Sequence, residues 1–207
     1  MKNEYRTVKN ESSDEFVEKK SKFIGYIKPV KTQDEAIEFI EKIRKKHWDA
    51  THNVYAYILR ENSVERFSDD GEPQGTAGIP VIEVLKKENL TDCAVVVTRY
   101  FGGTMLGAGG LVRAYSKSAK IAVDAGVPII VNLCAIADIN CDYSFYGKLS
   151  SLIPDNGAVI LDTEFTDDVR VSFAVKNDEF EKIRKLIIDS SNGRYDCEKT
   201  GEKYSVL

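Results

Sequence analysis

Between Arg99 and Gly110 the chain reads Arg-Tyr-Phe-Gly-Gly-Thr-Met-Leu-Gly-Ala-Gly-Gly, which puts Gly102, Gly103, Gly107, Gly109 and Gly110 in one short loop. Glycine stands where backbone must take positive φ or admit a close neighbour. The apolar run Cys93–Thr98 precedes the loop and a helical pattern from Leu111 to Ala125 follows it. A strand, a glycine loop and a helix N-terminus together offer backbone N–H donors suited to an anion. Arg99 closes the strand, and Arg113, Lys117 and Lys120 recur along one helix face. A charge run of this kind reads by itself as a solvated helix face, but no acid precedes Asp124 in that helix, which favours three unpaired cations arranged for phosphate. A tight turn of strand into helix accounts for the glycines equally well. The familiar nucleotide-binding loops are disfavoured: no Gly-Lys-Ser/Thr follows the glycines, and Val112 stands where a dinucleotide fingerprint needs a small residue.

A second polar stretch, Arg66-Phe-Ser-Asp-Asp-Gly-Glu-Pro-Gln-Gly-Thr-Ala-Gly78, is richer in Asp, Gly and Pro than its neighbours. Asp69, Asp70 and Glu72 flank Gly71 and can be read as ligands for a hard cation such as Mg²⁺. They read more simply as an Asp-Gly turn followed by a capped helix start. His52 opens a strand nearby in sequence and is either a structural histidine or a site residue. Tyr100 and Phe101, at the strand end, are either core or platforms for a nucleobase.

These groups need a scaffold. Residues 15–28 alternate around Lys19-Lys20-Ser21 as a hairpin, and Thr32-Gln-Asp-Glu35 is a capping box for a helix through Lys46. Strands are expected at 53–60, 64–68 and 93–98, with a short helix from Ile79 to Glu88 carrying Pro80 in its first turn. The segment Asp124-Ala-Gly-Val-Pro128 joins a helix stop to a proline and reads as a linker. Beyond it, strands at 129–141, 158–164, 169–175 and 195–206 alternate with helices at 143–153 and 178–189. This βαββαβ order predicts a ferredoxin-like sandwich. The expected fold is therefore α+β in two domains, residues 1–126 and 129–207.

The formal charge of −4 is unevenly placed: +1 over residues 1–126 and −5 over residues 127–207. A local basic surface on the first domain remains open to a nucleic-acid partner. No apolar run is long enough to span a bilayer and the N-terminus lacks a secretory signal, so a cytoplasmic protein without a membrane partner is expected. Cys93, Cys134, Cys141 and Cys197 lack metal-ligand spacing and read as buried free thiols; neither metal nor cofactor is expected.

The run Gly78-Ile-Pro-Val-Ile-Glu-Val-Leu-Lys-Lys-Glu-Asn-Leu-Thr-Asp-Cys-Ala-Val-Val-Val-Thr-Arg99-Tyr-Phe-Gly-Gly-Thr-Met-Leu-Gly107 resembles the signature of the YigZ/IMPACT family. Asp49-Ala-Thr-His-Asn-Val-Tyr-Ala-Tyr57 and Asp69-Asp-Gly-Glu-Pro-Gln-Gly-Thr-Ala-Gly78 are similar to the same family's N-terminal domain, and the C-terminal part resembles the domain that bacterial members add. The resemblance implies a first domain with the fold of the second domain of a small-subunit ribosomal protein, also found in ribonuclease PH and elongation factor G. It implies a second domain similar to the fifth domain of elongation factor G. Eukaryotic members regulate translation by competing for a ribosome-associated scaffold that activates a stress kinase; the resemblance does not extend to their separate N-terminal binding domain. The family supplies no catalytic residue to carry over. The leading expectation is a non-catalytic RNA- or ribosome-binding protein in the regulation of translation, with Arg99, the loop glycines, Arg113, Lys117 and Lys120 on phosphate. One alternative is an enzyme for a phosphorylated or nucleotide substrate, using His52 and a loop containing Arg66, Asp69, Asp70, Gly71 and Glu72. The other is a protein-interaction module that meets a partner from the translation machinery.

Overall fold

The computed structural model describes residues 3–207. The chain divides into two compact units: Arg6–Ile129, and Ile130–Leu207 together with the first residues up to Tyr5. A short strand, β1 (Glu4–Val8), opens the described chain. Its five residues are too few and too polar to show a period in sequence.

In the first unit, β2 (Ser12–Glu18) and β3 (Ser21–Pro29) form the expected hairpin. Lys19 and Lys20 both take positive φ, 45° and 67°, as a two-residue turn that matches strand twist requires. The next helix, α1 (Gln33–Lys46), is capped by Thr32, whose Oγ1 accepts from the Glu35 amide at 3.2 Å. The Glu35 carboxylate reaches back to the Lys31 amide at 2.6 Å, one residue before the partner a capping box specifies. Then come β4 (His52–Leu59), β5 (Val64–Ser68), α2 (Gly78–Lys87), β6 (Cys93–Tyr100) and α3 (Ala108–Gly126).

The antiparallel sheet runs β2-β3-β6-β4-β5, so β6 lies at its centre. Its side chains alternate between two cores. Cys93, Val95 and Val97 pack with residues of α2 and α3, while Ala94 and Val96 pack with Ala36, Phe39, Ile40 and Ile43 of α1. Burial on both faces explains why the strand is an unbroken apolar run.

In the second unit, β7 (Pro128–Cys141), α4 (Tyr143–Asp155), β8 (Val159–Phe165), β9 (Val169–Lys176), α5 (Phe180–Ser190) and β10 (Glu198–Ser205) follow in βαββαβ order. The strands lie in the order β10-β7-β9-β8, all antiparallel, and β1 also joins this sheet beside β7. Ala135, Ala137 and Ile139 of β7 meet Leu149 of α4 and Ile183 and Ile187 of α5 in its core. All four cysteines are buried and free. Among the described residues, no helix is long and apolar enough to cross a membrane.

Candidate nucleic-acid interface

Arg99 is expected at the surface, yet it is only 5% exposed. It lies on the α3 side of β6, where its Nη1 meets Glu72 Oε1 at 2.5 Å and its Nη2 reaches Ser21 Oγ at 3.5 Å. Its guanidinium carbon is 5.4 Å from the ring centres of both Phe23 and Phe101. The Tyr115 hydroxyl donates to the same Glu72 oxygen at 2.7 Å. Burial, reinforced by the Glu72 carboxylate, pushes that phenol's pKa well above its ordinary range. Arg99 therefore anchors the loop from below and does not face solvent; this corrects its assignment as a phosphate contact.

The three acids of the 69–72 segment are likewise committed, each in a different direction. Asp69 accepts from the amides of Gly75 (2.8 Å), Ala77 (3.1 Å) and Gly78 (2.8 Å), so its carboxylate occupies the start of α2. Asp70 accepts from the Asn53 amide at 2.7 Å and pairs with Arg44 at 3.1 Å. With Asp70 at φ 48° and Gly71 at φ 85°, the turn-and-cap reading fits better than a convergent cation site. His52 Nδ1 donates to the Asp70 carbonyl at 2.7 Å, which leaves Nε2 facing Glu72 Oε1 at 3.8 Å. Arg66 is exposed on the edge strand β5, where it donates to the Glu65 carbonyl.

The surface lies one layer further out. Gly107, at φ 72°, occupies the N-cap position of α3; no side chain caps the helix and its first turn contains no acid. Gly109 and the neighbouring Ala108 are exposed, and Arg113 Nη1 lies 3.7 Å from where a Cβ on Gly109 would stand. Arg113 and Lys117 are exposed and make no ion pair with any described residue. Lys117 Nζ sits 4.2 Å from the Phe16 ring centre. A shallow groove of about 200 Å³ runs between the β2–β3 turn and α3, with Lys19, Leu106, Arg113 and Lys117 on its walls and Glu18 at one side. Lys120 departs from expectation: it pairs with Asp124 at 2.5 Å and with Glu88 at 3.2 Å. Glu88 arrives from the end of α2, a neighbour that spacing along α3 cannot reveal.

This geometry falls inside the stretch that matches a known family. The Impact N-terminal domain model matches residues 19–123, about half of the chain. The IMPACT family member YvyE of Bacillus subtilis is 40% identical over 203 residues, covering 98% of this chain and 93% of that one. The chain belongs to the IMPACT family. Protein IMPACT of Rattus norvegicus is 32% identical over 94 residues, 44% of this chain and 30% of that protein. A second model, a domain of unknown function (DUF1949), matches residues 139–194. A solved structure described as a crystal structure of a hypothetical protein has a TM-score of 0.62 at 25% identity, over 98% of this chain and 100% of that one.

On the opposite face of β6, the IMPACT domain holds a second polar network that sequence did not suggest. Tyr100 donates its hydroxyl hydrogen to Asp49 at 3.1 Å, so it accepts from His47 Nδ1 at 2.9 Å; His47 Nε2 then accepts from the Tyr26 hydroxyl at 2.6 Å. Burial, aided by Lys46, lowers the His47 pKa below its usual 6.5. In the unfolded chain the imidazole protonates first, so stability is full above about pH 6.5 and falls as the pH drops below that value. Thermal unfolding followed from pH 7.5 to 5 is expected to show this loss, and His47→Gln is expected to flatten the profile from a lower starting point.

Proposed function

We propose that this IMPACT-family chain is a non-catalytic RNA- or ribosome-binding protein acting in the regulation of translation, with RNA phosphate held at the N-terminus of α3 by Arg113 and Lys117. One observation carries the reading: two exposed cations, with no ion pair to any described residue, stand beside an uncapped, glycine-lined helix start. Free amides and a helix dipole favour a phosphate there, and the two side chains supply full charge. Lys19 and Lys20 on the adjacent hairpin turn add to the same field. The relationship to eukaryotic IMPACT, whose members regulate translation, supports the physiological half of the reading. Buried Arg99 and paired Lys120 take no direct part.

The test is the affinity for structured RNA across a salt series. Binding that weakens with salt is expected, and Arg113→Glu/Lys117→Glu should lose at least about tenfold in affinity and reduce the slope by about 0.7 to 0.9 for each lost phosphate contact. Lys120→Glu should bind as the wild type does. Unchanged affinity in a folded double variant would overturn the proposal, and association with ribosomes that survives nuclease treatment would point to a protein partner in its place.

A further inference from the structure

We infer that the same end of the IMPACT domain carries a base-stacking platform centred on Trp48, and that its ligand is single-stranded RNA with unstacked bases. The inference rests on the phosphate-binding reading above and adds the class of nucleic acid to it.

Trp48 is the chain's only tryptophan and is 84% exposed. A ring of that size normally contributes its area to a core or an interface. Here the backbone that carries it is tightly held. The Ala50 amide bonds to the His47 carbonyl at 3.1 Å, and the imidazole of His47 is fixed between Tyr26 and Tyr100. Asp49 is tied to Tyr100, and Thr51 is clamped to β6 through its amide on the Arg99 carbonyl (2.9 Å) and its Oγ1 on the Phe101 amide (3.1 Å). The indole thus projects from a preorganised loop, which limits the entropy lost on binding.

Its surroundings fit a nucleic acid better than an apolar partner. Lys45 and Lys46 precede it, both exposed and without an ion pair among the described residues; Lys46 Nζ rests 5.0 Å from the Tyr26 ring centre. Phe101, 47% exposed, is joined to the same loop through Thr51. The chain beyond Phe101 leads into the glycine loop and α3, so aromatic faces and phosphate donors share the end of the sheet where β6 terminates. Alternation of exposed rings with cations is the pattern by which proteins take up single strands. A duplex keeps its base faces stacked and offers them no ring contact.

The lone tryptophan makes the test direct. The full chain is titrated with an oligouridylate, with duplex RNA of equal length and with inorganic polyphosphate, reading both indole fluorescence and the anisotropy of labelled RNA. Saturable quenching by oligouridylate is expected, with weaker binding and little quenching for the other two. Trp48→Ala should weaken oligouridylate binding about tenfold, and Trp48→Tyr should restore most of it. Unchanged affinity in Trp48→Ala overturns the stacking platform, as does equal quenching by polyphosphate. If RNA binding remains sensitive to Arg113→Glu/Lys117→Glu in either case, the phosphate reading stands alone; if no RNA binds, both fail.

Discussion

Glu72→Ala should lower the stability of the IMPACT domain by about 3–5 kcal/mol, the usual consequence of removing one partner from a buried ion pair. Arg99 and Glu72 keep only 6% and 4% of their side-chain surface exposed, so water cannot replace the missing carboxylate. The substitution strands the guanidinium between Phe23 and Phe101, and it leaves the Tyr115 hydroxyl without its acceptor. In thermal denaturation of the full chain, the transition of this domain should fall by roughly 10–20 °C. Glu72→Gln keeps an acceptor for Tyr115 while losing the charge, so its loss should be smaller. Replacing both partners, as Glu72→Leu/Arg99→Met, should recover much of the deficit because no charge is then left buried alone. A single Glu72→Ala as stable as wild type would show that Arg99 reaches solvent, which would return it to the list of phosphate contacts.

The same pair shows what could and could not be read from sequence. The strand β6, the glycine loop and α3 were legible because a doubly buried strand must be apolar throughout and a helix must repeat every three to four residues. The second unit was legible for the same reason: its alternating strands and amphipathic helices follow one another without long interruptions. What stayed hidden was contact between elements. Tyr115 reads as part of the apolar face of α3, and only the fold brings its hydroxyl to Glu72, 43 residues earlier. Lys120 has one partner on its own helix, Asp124 four residues on, which spacing allows; its second, Glu88 from the end of α2, is visible only in the fold. Asp69 and Asp70 could be counted as cation ligands, since spacing does not show that amides of the following turn and of β4 already occupy them. Trp48 gave no signal either, because a lone aromatic at a helix end is indistinguishable from core until its exposure is known. Arg113 and Lys117 stay exposed, and among the described residues no acid forms an ion pair with either.

Gly102→Ala is the second large effect expected, and it separates the two readings of the glycine loop. A Cβ at this position would overlap the carbonyl group of Lys20 and the amide of Ser21. Those are backbone atoms of the β2–β3 turn, so no rotamer change can relieve the clash, and the Gly102 amide also bonds to Ser21 Oγ at 3.1 Å. Overpacking of this kind costs about 3 kcal/mol or forces the loop away from the hairpin. The other glycines should behave differently. Gly103, at φ 81° with open space around it, should lose about 1–2 kcal/mol as alanine through backbone strain alone. Gly109, inside the first turn of α3 with only Arg113 Nη1 within 4 Å of a Cβ, should be neutral or slightly stabilised, since alanine favours helix over glycine by up to about 1 kcal/mol. Urea denaturation of the three variants tests this order. If Gly102→Ala is the most damaging, Gly102 is required by the join between loop and hairpin, and the open glycines at the helix start are left as those available to a ligand. Should Gly109→Ala prove stable yet bind RNA more weakly, crowding of the α3 amides is the physical cause, and the helix start is where phosphate sits. A stable Gly109→Ala with undiminished RNA affinity would move the phosphate contact away from the opening amides and onto the Arg113 and Lys117 side chains alone.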